Sequence, residues 1–325
     1  MAFAARRPSL RAPCRPASGK RSCRAKSCRP PGLLDTPATS RPAACRRARS
    51  TPWIDATNGR WFQTVLAMSD GERLPPEDPA VVRVPHPPLT QYYADEHGRR
   101  DWVRAIFDRS AVDYDRIERL MALGSGSWYR RQALLRAGLA PGMRVVDVGV
   151  GTGLVACEAA RVVGAGSLVI GVDPSPGMLS SARVPAGVTL CEGRAEALPL
   201  PDACADFVSM GYALRHVGDL SAAFSEFRRV LRPGGIACVL EITYPENRSH
   251  ALLLKAYMRG VIPALSWLIA RHGDTPKLMR YYWDTIETCV PPAQVMATLA
   301  HAGLEDARRH VEAGIFSEYR SRRPA

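Results

Sequence analysis

The chain has 325 residues, 46% hydrophobic and 23% charged, which is ample for a large α/β core with an appendage. Its formal net charge of +13 is concentrated at one end: residues 1–50 hold thirteen Lys/Arg and one acid, Asp35, while the other 275 balance 31 basic against 30 acidic groups. A neutral body lacks the electrostatic footprint of a DNA- or RNA-binding protein, so no nucleic-acid partner is expected, and no apolar run is long enough to span a membrane.

The basic N-terminal segment is rich in Arg, Pro, Ala, Ser and Cys and lacks the apolar stretch of a secretory signal. Two readings stand for it. It is a mitochondrial or plastid transit peptide, or it precedes a true start at Met68, which would leave the protein cytoplasmic, with the option of peripheral membrane contact. In both, residues 1–67 form a disordered extension outside the fold. Four of the nine cysteines lie there at irregular spacings without a His cluster, so no metal site is expected. Cys157, Cys191, Cys204, Cys238 and Cys289 are scattered singly among apolar residues, as reduced core cysteines are. Residues 68–100 are a proline-rich arm, expected to be extended. The folded domain is expected over 101–325. Helical spacing puts Trp102, Ile106 and Phe107 near one face. Two helices through Tyr114 and Arg131 present an aromatic surface that lids a pocket or serves structure alone.

The stretch Arg144–Leu154 carries the most chemistry. Val145, Val146 and Val148 around Asp147 predict a buried parallel strand, and Leu154–Val163 predicts a helix. Gly149, Gly151 and Gly153 between them let a ligand approach the backbone, because no Cβ stands in the way. This is no dinucleotide fingerprint: counted from Gly149 the third glycine would fall at Leu154, and from Gly151 at Ala156. No G-K-[ST] follows, which excludes a P-loop. Ser167–Asp173 predicts a second strand ending in an acid that could accept hydrogen bonds from ribose hydroxyls, or simply end a strand before Pro174. The pattern D-x-G-x-G-T-G, from Asp147 through Thr152 to Gly153, resembles motif I of the class I S-adenosylmethionine (SAM) methyltransferases. That resemblance implies SAM as cofactor, with Asp147, Gly149, Gly151, Thr152, Gly153 and Asp173 around it.

Further on, a helix is expected to start near Ser175 or Pro176, then strands at Val188–Glu192 and Ala205–Gly211. Ala222–Leu231 predicts a helix with Phe224, Phe227 and Val230 inward. Pro233-Gly234-Gly235 predicts a turn before another apolar strand. Ala251–Trp283 is apolar and aromatic, which suits cover over a hydrophobic small-molecule substrate, contact with a bilayer surface, or a homodimer interface. A helix from Pro291 stops at Gly303, and Leu304–Arg320 predicts a hairpin.

Several of these segments together resemble the UbiE/MenG family, which C-methylates the ring of ubiquinone and menaquinone precursors. They are Tyr114-Asp115, the run from Ala195 to Pro199, Leu214-Arg215 with Val217, Arg229–Thr243, Lys255-Ala-Tyr257 and Ile262-Pro263, and the likeness covers about residues 102–320. It implies an α/β class I methyltransferase fold: a Rossmann-like doubly wound sheet, an antiparallel C-terminal hairpin and a helical substrate lid. Met178, the backbone of Arg194 and Ala195, and Gly211 would complete the cofactor site, while Tyr114, Tyr257 and Tyr282 would meet the substrate. A quinone-biosynthesis complex is a further implied partner. This chain departs from the pattern at Ile117-Glu118, Ala122, Gly126, Tyr129 and Arg194, and has His216 where the family has Asn.

A sulfonium methyl is already electrophilic, so the enzyme must mainly align the reactants and exclude water. Arg215 could stabilise a ring phenolate and His216 could take its proton, unless His216 is structural. Three functions are carried forward: C-methylation of a prenylated quinol, methylation of another aromatic or lipid-like molecule, and an inactive SAM-binding assembly factor.

Overall fold

The computed structural model describes residues 84–122, 124–269 and 275–325. The expected extension over 1–67 and the first part of the proline-rich arm lie outside the described residues. The rest of the arm is packed: His86, Leu89 and Tyr93 are buried, and Leu89 donates its N–H to the Tyr93 hydroxyl. The arm gives way at Glu96 to a 26-residue helix, α1 (Glu96–Met121), which carries Tyr114 and starts before the expected domain boundary at 101. α2 (Gly126–Ala137) follows and ends on Gly138 in the left-handed conformation.

The sheet has seven strands: β1 (Val145–Val148), β2 (Val169–Asp173), β3 (Val188–Glu192), β4 (Ala205–Gly211), β5 (Leu231–Ile242), β6 (Glu305–Glu312) and β7 (Phe316–Arg322). Their order is β3-β2-β1-β4-β5-β7-β6, with β1 to β5 parallel and β7 antiparallel to both its neighbours. The order reverses between β1 and β4, so the crevice outside their carboxyl ends is the switch point where open α/β sheets bind ligands. The Pro233-Gly234-Gly235 turn lies within β5: Ala205 pairs with Leu231 and Phe207 with Ile236, so the intervening residues bulge out of the ladder.

The doubly buried strands distribute alternate side chains to two cores. Val146, Val148, Val208, Met210, Ala237 and Val239 pack with α5 (Leu220–Val230) and α9 (Pro292–His301), where Phe224, Phe227, Val230 and Leu299 are inward. Val145, Phe207, Ile236, Cys238 and Leu240 face α2 and α3 (Leu154–Val163). Asp219 caps α5 by accepting from the N–H groups of Ser221 and Ala222.

A third apolar cluster lies beyond the carboxyl end of β5, whose Ile242 packs against it. It joins α1 to α6 (Arg248–Ala256), a π turn at Tyr257–Val261, α7 (Ile262–Ile269) and α8 (Thr275–Thr288), through Ile106, Ile117, Met258, Ile262, Leu278 and Trp283. Among the described residues no helix is long and apolar enough to cross a membrane.

Candidate active site

A cleft of about 460 Å³ opens at the switch point, between the carboxyl ends of β1, β2 and β4 and the α1 roof. Its size is that of a small-molecule site. One wall is mostly backbone. Gly149 and Gly151 have φ of +68° and +54°, and a Cβ on Gly149 would stand 2.5 Å from that of Ala213. Ala213 is brought there by Tyr212, whose φ of +60° is a strained value for a residue with a side chain, and whose N–H is held at 2.7 Å by the Leu240 carbonyl.

Asp173 closes this wall. Its two carboxylate oxygens accept from the N–H groups of Gly151, at 2.8 Å, and Ser175, at 2.9 Å, which leaves a lone pair on each for the cleft. Burial, the dominant cause, pushes its carboxyl up to about 6. Ser175 caps the short helix α4 (Pro176–Ser181), with Pro176 in its first turn, and so aims Met178 into the cleft. Arg194, Ala195 and Gly211 also line it.

Three expected cofactor residues stand behind the wall. Asp147 is buried between β1 and β4, where Oδ1 accepts from the Ser209 hydroxyl at 2.7 Å. Burial raises its carboxyl to about 7, with Ser209 opposing the shift. Thr152 gives its hydroxyl to Asp115 on α1, at 2.6 Å. Gly153 starts α3 at φ +94°, and a Cβ there would strike Val184. All three shape the turn from outside the cleft.

The opposite wall is aromatic. Phe107 and Tyr114 come from α1 and Tyr282 from α8, and the Tyr282 hydroxyl donates to that of Tyr114 at 3.1 Å. His216 lies among them, stacked on Tyr282 with centroids 5.7 Å apart and edge-on to Phe107 at 5.0 Å. Its Nδ1 is 3.3 Å from the Tyr281 hydroxyl, and its Nε2 has no hydrogen-bond partner. Burial above all, then the charges of Arg215 and Arg99 and the neighbouring His86, hold its pKa well below 6.5, so the ring is neutral at pH 7.

Two expected substrate or catalytic residues are not on this wall. Arg215 is fully buried: it ion-pairs with Glu241 and donates to the Thr285 hydroxyl at 3.2 Å, so its guanidinium is committed beneath the site. Tyr257 gives its hydroxyl to the Met121 carbonyl and belongs to the helical layer outside the cleft.

Other site residues were not anticipated. Asp108 on α1 accepts from the Ser175 hydroxyl and the Gly177 N–H, clamping the roof to α4. Glu192 lines the cleft at the end of β3, and an acid ending a parallel strand was the available signal, as for Asp173. Arg99 pins the loop after β4 by donating to the carbonyls of Arg215 and Val217; nothing in the local pattern marks it.

These residues suit SAM. The open side of Gly151, the oriented carboxylate of Asp173 and the nearby Glu192 fit a ribose diol, and Met178 with Ala195 offers an apolar face for a base.

A sequence model of the ubiE/COQ5 methyltransferase family matches residues 94–321. Among curated proteins, the chain is 33% identical over 239 residues to a ubiquinone/menaquinone biosynthesis C-methyltransferase UbiE of Geobacter sulfurreducens, covering 71% of this chain and 91% of that one. It is 35% identical over 191 residues to a demethylmenaquinone methyltransferase of Symbiobacterium thermophilum, covering 56% and 76% respectively. Among solved structures, a SAM-dependent methyltransferase of Thermotoga maritima is 22% identical, with a TM-score of 0.49, over 67% of this chain and 99% of that one.

Proposed function

The chain belongs to the ubiE/COQ5 methyltransferase family and is a SAM-dependent methyltransferase; we propose that its acceptor is a ring carbon of a prenylated quinol of the demethylmenaquinol or ubiquinol-precursor type. The observation that carries this reading is a single cleft in which the glycine and carboxylate wall meets an aromatic wall, with one neutral histidine between them. The relatives' names supply the acceptor class.

When bound, the cofactor supplies a methyl group on a positively charged sulfur. Gly149, Gly151, Asp173, Met178 and Ala195 would hold it. Phe107, Tyr114 and Tyr282 line the acceptor side with aromatic surface, against which a ring would pack and exclude water. His216 Nε2 is unpartnered on that wall, and it is an acceptor in the tautomer whose Nδ1–H donates to the Tyr281 hydroxyl. It would take the proton of the ring hydroxyl as the ring carbon bonds to the methyl group; that carbon's own proton then leaves to solvent, and His216 returns its proton to the ring oxygen, which restores the aromatic ring and the neutral base. A neutral imidazole is required for this, and burial with Arg215 and Arg99 keeps it neutral. Arg215 thus acts through His216 and the Glu241 pair.

Incubating the protein with labelled SAM and demethylated quinols, then analysing the lipids by mass spectrometry, is expected to yield a ring-methylated product. SAM binding without a lipid product would select the second reading, an aromatic acceptor of another kind. The replacement of the family's His at Gly126, its Ser at Ala122 and its Asn at Glu118 and His216 favours that reading. SAM binding without turnover of any aromatic acceptor would leave the assembly factor. A His216→Ala protein that binds SAM and turns over at the wild-type rate would remove the base assignment.

A further inference from the structure

A helix on the surface of a globular protein normally turns charged residues outward. Here the outward face carries an apolar stripe. On α6, the π turn and the start of α7, Leu252, Leu253, Ala256, Gly260, Val261 and Ala264 are exposed at helical spacing, while Arg248, Ser249, His250 and Arg259 are the polar residues exposed beside them, none of them acidic. Leu252 and Leu253 are 68% and 69% exposed and Val261 47%, while Ala251, Met258 and Ile262 fill the inner face. From Asn247 to Ile269 there is no Asp or Glu, whereas Arg248, His250, Lys255 and Arg259 are basic.

A second observation adjoins the first. Arg259, beside Gly260 and Val261, lines a cleft of about 470 Å³ together with Lys277 and Arg280 of α8. The single carboxylate there, Asp284, already accepts from the Tyr92 hydroxyl at 2.7 Å and from Gln91 at 3.4 Å, so the three cations outnumber it. An apolar stripe next to a cationic cleft fits an interface that is hydrocarbon at depth and phosphate at its surface.

We infer that this face docks on an anionic lipid bilayer, with Leu252, Leu253 and Val261 in the headgroup–acyl boundary and Arg259, Lys277 and Arg280 against lipid phosphates. α8 carries Lys277 and Arg280 on this face and Tyr282 into the acceptor wall, so the docked surface is one helix away from the active site. The docking deepens the proposed function, because a prenylated ring partitions into a bilayer. It is tested by binding without turnover, so that either claim can fail alone.

The test is vesicle flotation of the full chain, using phosphatidylcholine alone and phosphatidylcholine mixed with phosphatidylglycerol. Wild type is expected to float with both, more with the anionic vesicles, and the excess is expected to shrink with salt. Leu252→Asp with Leu253→Asp is expected to abolish flotation on neutral vesicles and to weaken it on anionic ones. Arg259→Gln, Lys277→Gln and Arg280→Gln together are expected to retain neutral binding and lower the anionic preference about fivefold per charge. The basic residues 1–50 are common to every protein and bind anionic lipid themselves, so the leucine variant is judged on neutral vesicles and the charge variant at a lipid concentration where wild-type flotation is half-maximal. Unchanged far-ultraviolet circular dichroism and SAM binding show that the surface changes leave the fold intact. Equal flotation of wild type and the leucine variant overturns the inference. So does a wild-type dimer that fails to float and becomes monomeric in the leucine variant, which would assign the face to a second copy.

Discussion

On the cofactor side of the cleft, the wall between Gly149 and Ala195 comes from one continuous segment and is largely backbone, with Asp173 held by two N–H donors. On the acceptor side, Phe107, Tyr114, His216 and Tyr282 are side chains from three separated segments, and each depends on how α1 and α8 dock. A backbone wall is set by turn chemistry and serves any acceptor. A side-chain wall can be re-tailored without touching the cofactor; His216 is the departure from the family pattern on that wall, while Arg194, a departure on the cofactor wall, leaves its backbone in place. Asp115 and Asp108 join the halves by tying α1 to Thr152 and to α4.

The largest effect is expected where the acceptor wall is founded. Glu241→Ala leaves Arg215 as an uncompensated charge in the core, which is expected to cost about 3–5 kcal/mol in urea unfolding. The next change separates the walls. His216→Asn is expected to lower kcat about a hundredfold, the lower end for a lost general base, with SAM affinity unchanged by calorimetry. In wild type the base is lost when His216 is protonated, so kcat falls as pH falls, and because its pKa is held low that limb is expected below pH 6.5. In His216→Asn the limb should disappear.

The complementary change attacks the cofactor wall. Asp173→Asn removes the charge that would accept from a ribose diol and is expected to raise the SAM Kd about tenfold with the acceptor KM unchanged. The ionised carboxylate is the accepting form, so wild-type SAM affinity is expected to weaken as pH drops below about 6, a dependence the variant should lack. The smallest effect is Tyr114→Phe, which leaves the Tyr282 hydroxyl without its acceptor. It is expected to cost about 1 kcal/mol of stability and to raise the acceptor KM a few-fold while SAM binding holds.

Sequence by itself determined the parts whose physics is local. Three valines around Asp147 can only be a buried strand, glycines at 149 and 151 permit the positive φ their turn needs, and Asp173 follows from the βαβ spacing. Phe224, Phe227 and Val230 likewise reveal the inner face of α5 by their period. Only the tertiary structure decided which side chains share a space. Asp147 and Thr152 sit in the motif yet do not line the cleft: Asp147 Oδ1 accepts from Ser209 on β4, and Thr152 donates to Asp115 on α1. Arg215 and His216 are adjacent in the chain, but one is sealed into an ion pair with Glu241 and the other opens on the site. Phe107 and Tyr282 meet only because α1 and α8 pack against one another. A periodic pattern specifies an element's face. It carries no information about the partner across that face, which is set by long-range packing between segments distant in the chain.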